Sequence, residues 1–155
     1  MFMIKKLLLL MLITSTLFAL HVPVIGEKVL PIILEDQHDV KQTYENDVNW
    51  VLYAPDKAAF KIVEAFFEEQ ESDILQKKKA LLITDVSAAP SFVISFYIKP
   101  KLRSCAFEVL MISDDLSPVI FPSKAEKVSL VKLKKGHIET IWFIENVKIL
   151  RERLN

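Results

Sequence analysis

The chain has 155 residues, of which 20 are Lys or Arg and 20 are Asp or Glu, so its formal net charge is zero. That length suits one domain, and the balanced charge excludes the basic footprint of a nucleic-acid-binding protein. With 52% hydrophobic residues the chain is too apolar to be disordered, and its lone Cys105 excludes an intramolecular disulfide, so stability must come from a packed core.

The first residues, MFMIKKLLLLMLITSTLFALHVPV, set Lys5 and Lys6 ahead of a charge-free apolar run from Leu7 to Leu20. A short positive region, an apolar stretch and a small residue such as Ala19 are what secretory processing reads. The run is shorter than the roughly 20 apolar residues of a membrane span. The expected organisation is a signal peptide over residues 1–19 and a single domain over 20–155. An uncleaved anchor is the alternative, because Leu17 stands where cleavage favours a small residue. Losing Lys5 and Lys6 leaves 18 basic against 20 acidic residues, a net charge of −2, which gives no strong attraction to anionic lipid.

Residues 28–34, KVLPIIL, read as a short apolar strand, placed at a sheet edge because Pro31 cannot donate to a ladder. The polar segment EDQHDVKQTYEND follows as a hairpin or loop, with 40–44 extended. Residues 49–54, NWVLYA, are rich in aromatic and β-branched side chains and read as a central strand. Asp56 suits the N-cap of the next helix, since its carboxylate can accept from the free amides of the first turn. Within that helix Lys57, Lys61, Glu64 and Glu68 share one face, while Ala59, Val63, Phe66 and Phe67 share another. This is the pattern of one solvated and one buried side.

A second capped turn or short helix starts at Asp73, and residues 80–86, ALLITDV, form the next buried strand. Ser87 is the expected cap of a further helix with Pro90 in its first turn. That helix should stop near Ile98, because Pro100 disfavours helical geometry at Lys99. Residues 107–113, FEVLMIS, make another strand, closed by a turn at Asp114 and Asp115. Strands over 128–133 and 138–143 flank KKGH as a β-hairpin in which Gly136 supplies positive φ. The last helix covers 146–154, with Val147, Leu150 and Leu154 on one side and Lys148, Arg151 and Glu152 on the other. Alternation in the middle of the chain demands a mainly parallel core, and the terminal hairpin adds antiparallel strands. The expected fold class is α/β, a three-layer sandwich with a mixed central sheet.

This order resembles the thioredoxin-like superfamily in its peroxiredoxin and alkyl-hydroperoxide-reductase arrangement. LEDQHDVKQTYENDVNWVLYAP is similar to the opening of that arrangement, and ALLITDVS, FEVLMISDD and VSLVKLKKGHIETIWF resemble its later strands and closing hairpin. The resemblance covers most of the chain after the signal. It implies a thioredoxin-like α/β/α sandwich with a terminal β-hairpin and a C-terminal helix. It also implies where a thiol would stand, because peroxiredoxins place Thr four positions, and the peroxidatic Cys seven positions, after the junction Pro. Counted from Pro55, those positions hold Ala59 and Ile62, and Ile62 has no nucleophilic atom. A Cys-x-x-Cys pair is missing from the same stretch. The chain therefore resembles the cysteine-less secreted members of the superfamily, a scaffold without its reagent.

Other chemistry-bearing residues are few. Cys105 follows KPKLRS, and Lys101 and Arg103 could lower its thiol pKa. The competing readings are a small half-buried residue entering the next strand, or an intermolecular disulfide. Glu35, Asp36, His38 and Asp39 in EDQHD offer metal-ligand types. Adjacent residues of a hairpin point in different directions, however, and His21 and His137 carry no ligand spacing, so a solvated loop and no metal are expected. Neither Asp114 with Asp115 nor Glu68 with Glu69 reads as an acid/base pair. There is no Gly-x-Ser-x-Gly, and Gly26 and Gly136 cannot make a phosphate-cradling loop, so no cofactor is expected. Phe60, Phe66, Phe67, Phe92, Phe96 and Tyr97 lie among apolar neighbours on predicted helices and are expected in the core.

The leading functional expectation is a secreted or periplasmic, redox-inactive thioredoxin-like module that binds another protein of the bacterial cell envelope. One alternative is a thiol-dependent oxidoreductase acting through Cys105. Another is a small-ligand or cofactor carrier using a pocket beside Pro55. No nucleic-acid partner is expected, and no membrane contact unless the N-terminal segment stays uncleaved as an anchor.

Overall fold

A computed structural model describes residues 21–29, 31–114, 117 and 121–154. The expected signal over 1–19 lies outside the described residues, as does Asp115 of the expected acidic turn. Seven strands, β1 (Ile32–Asp36), β2 (Lys41–Tyr44), β3 (Trp50–Ala54), β4 (Ala80–Asp85), β5 (Leu110–Ile112), β6 (Val128–Lys134) and β7 (His137–Ile144), form one sheet in the order β2-β1-β5-β4-β3-β6-β7. β3, β4 and β5 run parallel, and the remaining pairs are antiparallel. The helices are α1 (Lys57–Phe67), α2 (Ile74–Lys78), a composite α3 over 91–103, and α4 (Val147–Leu154). The mixed α/β sheet with its terminal hairpin and C-terminal helix is as expected.

Alternation along the strands divides the core in two. Leu52, Leu82, Met111 and Leu130 face a layer made by Val63 and Phe66 of α1, Leu75 of α2, Leu102 of α3, and Leu150 and Leu154 of α4. Val51, Ile83, Leu110 and Val131 face the opposite way, toward Ile32 and Leu34 of β1 and the ring of Phe121. Among the described residues, then, the four helices share one face, and the layer on the other is extended chain rather than helix.

The segment 28–36 explains that layer. Lys28 bridges to His137 at the start of β7, whereas Asp36 pairs with Leu110 of β5. The free side of β7 and β1 are six spacings apart, about 28 Å, which eight residues span only when almost fully extended, at about 26–29 Å. KVLPIIL therefore crosses the sheet face instead of forming one edge strand. Pro31 falls between the bridge and β1, outside any ladder, and the edge position belongs to β2.

Four other expectations are corrected. Asp73 makes no side-chain cap to α2, and its carboxylate instead pairs with Lys77 at 3.1 Å. Ser87 does not cap α3, because its hydroxyl is drawn 2.6 Å to Asp85 Oδ1. Nor does α3 stop at Ile98. It runs as Ser91–Val93, a π-turn Ile94–Ile98, and Lys99–Arg103. In an ordinary helix the Pro100 ring would press on the carbonyl four residues back. The wide turn relieves that contact, and the Lys99 amide donates to Ile94 O, five residues back. The helix therefore passes through its proline with Ile94 and Leu102 buried. Its aromatics face outward. Phe60, Phe66 and Phe67 are core residues as expected, whereas Phe92, Phe96 and Tyr97 are 61%, 75% and 70% exposed.

Candidate functional site

Pro55 joins the end of β3 to α1. The next residue, Asp56, takes extended backbone and accepts from the Ala59 amide at 2.9 Å, as its sequence position predicts. Its second carboxylate oxygen accepts from the Glu126 amide at 2.7 Å, tying the start of α1 to the loop before β6. Ala59 is fully buried, and Ile62 is partly buried against the helix-side core. The two positions where the resemblance places Thr and Cys thus hold apolar packing residues.

Beside this junction, at the C-terminal ends of β3 and β4, lies a groove of about 560 Å³. Its walls are mostly apolar, formed by Pro55, Phe60, Val86, Val93, Tyr97 and Leu102. Ligand sites of open α/β sheets form at this end of parallel strands, and volumes of roughly 300–1,000 Å³ with few polar groups are usual for them. The charged groups around it are largely engaged. Asp85 accepts from the Ser87 amide at 2.9 Å, from the Ser87 hydroxyl, and from the Tyr53 hydroxyl at 3.1 Å. Lys101 pairs with Glu64 at 3.0 Å. Burial raises the phenol pKa of Tyr53 and the neighbouring Asp85 charge raises it further, so the hydroxyl stays protonated and keeps donating.

Cys105 belongs to a different place. It follows the C-terminal end of α3, half-buried, with Sγ 3.9 Å from Lys101 O. Burial pushes its thiol pKa up, the Glu64 carboxylate on α1 adds to this, and Lys101 only partly offsets both. Glu64 lies eight residues beyond Asp56, about 12 Å along the helix. Arg103, the second cation expected to activate the thiol, is turned away. Its Nε donates to Gln37 O at 2.8 Å, and its Nη2 meets Asp39 at 2.7 Å.

The EDQHD residues form a clasp. Asp36, 5% exposed, accepts from the His38 amide at 2.8 Å, the Val40 amide at 3.0 Å and the Gln42 side chain at 3.2 Å. Gln37, 2% exposed, donates to Phe107 O at 2.8 Å and accepts from the Val109 amide at 2.9 Å. Asp39 holds Lys99 and Arg103 of α3, while Glu35 and His38 face solvent. The carboxylates are thus spent on hairpin geometry and on docking it to α3. An Asp that precedes amides two and four residues on is the signal for such a knot. Of the other acidic pairs, Glu69 is held by Arg151 of α4 and Glu68 is exposed.

No protein-family model matches the chain, and no curated protein does. Solved structures do share its fold. The solution structure of a protein from Bacteroides thetaiotaomicron, described as a disulfide isomerase, superposes with a TM-score of 0.55 at 13% identity, covering 84% of this chain and 86% of that one. An uncharacterised thioredoxin-like protein from Porphyromonas gingivalis gives 0.52 at 13% identity, covering 84% and 92%. A peroxiredoxin-like protein from Aquifex aeolicus gives 0.51 at 8% identity, covering 86% and 87%. With β3–Pro55–α1 at its centre and the β6–β7 hairpin and α4 closing it, the fold of this chain is thioredoxin-like.

Proposed function

We propose that this thioredoxin-like domain is a binding module of the bacterial cell envelope that performs no thiol chemistry. The observation that carries the reading is the β3–α1 junction. Ala59 and Ile62 pack into the core there, and Asp56 is committed to capping and to Glu126. The one thiol is elsewhere, with its pKa raised, so little thiolate is present near neutral pH. What the junction offers instead is an apolar groove with exposed aromatic side chains on the adjoining helix, the composition of a contact surface. The apolar run after Lys5 and Lys6 supports delivery out of the cytoplasm.

The test compares wild type with Cys105→Ser in disulfide-reductase and peroxide-consumption assays with an external dithiol. Both proteins are expected to match the no-enzyme background. Turnover that disappears with Cys105→Ser would replace this reading with the oxidoreductase one. Cell fractionation of the tagged chain tests the compartment, and recovery in the cytoplasm alone would refute the envelope assignment.

A further inference from the structure

Phe92, Phe96 and Tyr97 fall within two turns of α3 and are 61%, 75% and 70% exposed. At about 200 Å² per ring side chain, they show solvent about 400 Å² of aromatic surface. That is the size of the largest apolar patch on an ordinary monomer, about 300–600 Å², and such patches are often functional. Tyr97 is also a wall of the groove beside Pro55, so a ridge and a hollow adjoin on one surface.

We propose that ridge and groove are the two halves of a twofold-symmetric contact between two copies of this chain, each copy's Phe96 seating in the groove of the other. This rests on reading the chain as a binding module, and it names the partner of that module as a second copy. A twofold contact must be self-complementary, and a projecting aromatic next to an apolar hollow meets that requirement. The area fits as well. The three rings supply about half of the ~800 Å² that each partner gives to a standard interface, before the groove walls are counted.

Charge is only a weak obstacle. The three cations of α3 meet two carboxylates, Lys99 and Arg103 sharing Asp39 and Lys101 pairing with Glu64. Each copy therefore brings a single net positive charge from this cluster, near the surface where salt screens it. The formal net charge, zero for the full sequence and −2 without Lys5 and Lys6, adds little long-range repulsion. A lipid surface fits less well, because helices that lie in bilayers present free Lys and Arg beside their aromatics.

The experiment is sedimentation velocity from low micromolar to hundreds of micromolar, in reductant so that Cys105 cannot link copies. The protein is expressed from its full sequence and purified as the host processes it. Wild type, Phe96→Ser and Phe92→Ser/Phe96→Ser are compared, with near-UV circular dichroism to confirm that each is folded. Each lost ring is lost twice in a symmetric dimer. The double variant is therefore expected to dissociate at least about a hundredfold more readily than wild type. A wild type that stays monomeric at hundreds of micromolar overturns the proposal. So does a dimer that both variants form equally well, and so does a monomer that floats with phosphatidylcholine vesicles through Phe96. None of these results touches the redox reading, which is tested separately through the reactivity of Cys105.

Discussion

The Asp56 carboxylate reaches the Glu126 amide at 2.7 Å with one oxygen while the other caps α1 at the Ala59 amide. One side chain thus fixes the helix start and the loop before β6, seventy residues away in sequence. Serine caps about as well as aspartate but has a single oxygen. Asp56→Ser should therefore lose the Glu126 bond and keep the cap, costing about 0.5–1.5 kcal/mol. Asp56→Ala should lose both and cost about 1–3 kcal/mol. Urea denaturation of the two variants checks this, and equal losses would mean that the Glu126 contact contributes nothing.

Asp36 is a buried carboxylate that accepts three hydrogen bonds, and its titration should be visible in stability. Burial alone would raise its pKa, but donation from the Val40 amide, Gln42 and the His38 amide outweighs burial and holds it below the usual aspartate range. A folded pKa below the unfolded one contributes stability that is complete above the unfolded value, near 3.9, and is lost as pH falls through the folded value. At pH 6, Asp36→Ala should cost about 2–4 kcal/mol, since three donors lose their acceptor in a site with little water. Asp36→Asn cannot ionise, so the advantage of wild type over it should shrink as pH is lowered below 4. A gap that stays constant from pH 6 to 3 would show that this carboxylate is not what titrates.

The sequence is most informative where local chemistry and burial agree. Asp56 reads as a cap and is one, and Ala59, Val63, Phe66 and Phe67 read as a buried stripe and are buried. Where a proline intervenes, local rules mislead in both directions. Pro31 suggests an edge strand, but the segment crosses the sheet face and leaves the proline between two pairings. Pro100 suggests a helix end, but a π-turn absorbs it and resets the facing of the residues ahead. Phe92 and Phe96, four residues apart, share the side of the helix away from buried Ile94, and with Tyr97 they point to solvent although they are apolar. The groove was legible only as a position beside Pro55, because its far wall comes from α3, whose facing depends on the π-turn. The EDQHD run reads as a solvated loop, since a short polar run does not reveal that the Asp36 carboxylate is buried.

Gly136 closes the β6–β7 turn with φ +77, following Lys135 at φ +51. Positive φ at both central residues is the turn whose twist matches the flanking strands. A Cβ at Gly136 would run into the side-chain amide of Asn46. Gly136→Ala therefore meets backbone strain and must also push the exposed Asn46 side chain aside, and should cost about 1–2 kcal/mol. Gly26, at φ +92 with nothing close to a would-be Cβ, provides the comparison. Gly26→Ala should show the backbone term alone, about 1 kcal/mol. Thermal melts of both should order them with Gly136→Ala lower, and the reverse order would remove the Asn46 contact from the account.

Cys105 tests the electrostatics of the α1–α3 contact. Burial first, and then the Glu64 carboxylate, raise its thiol pKa, while Lys101 works in the opposite direction. Only the thiolate is alkylated, so iodoacetamide should react slowly at pH 7–8 and accelerate only above the ordinary thiol range. Glu64→Gln removes a charge that disfavours the thiolate and releases Lys101 from its 3.0 Å pair. Both changes lower the pKa, and the rate at pH 8 should rise about two- to fivefold. Lys101→Gln should slow the reaction, because it removes the one nearby charge that favours the thiolate. If Glu64→Gln left the pH–rate curve unmoved, burial alone would account for the sluggish thiol. If Cys105 already alkylated at its limiting rate by pH 7, the thiol would be an activated one and the non-redox reading of the domain would fail with it.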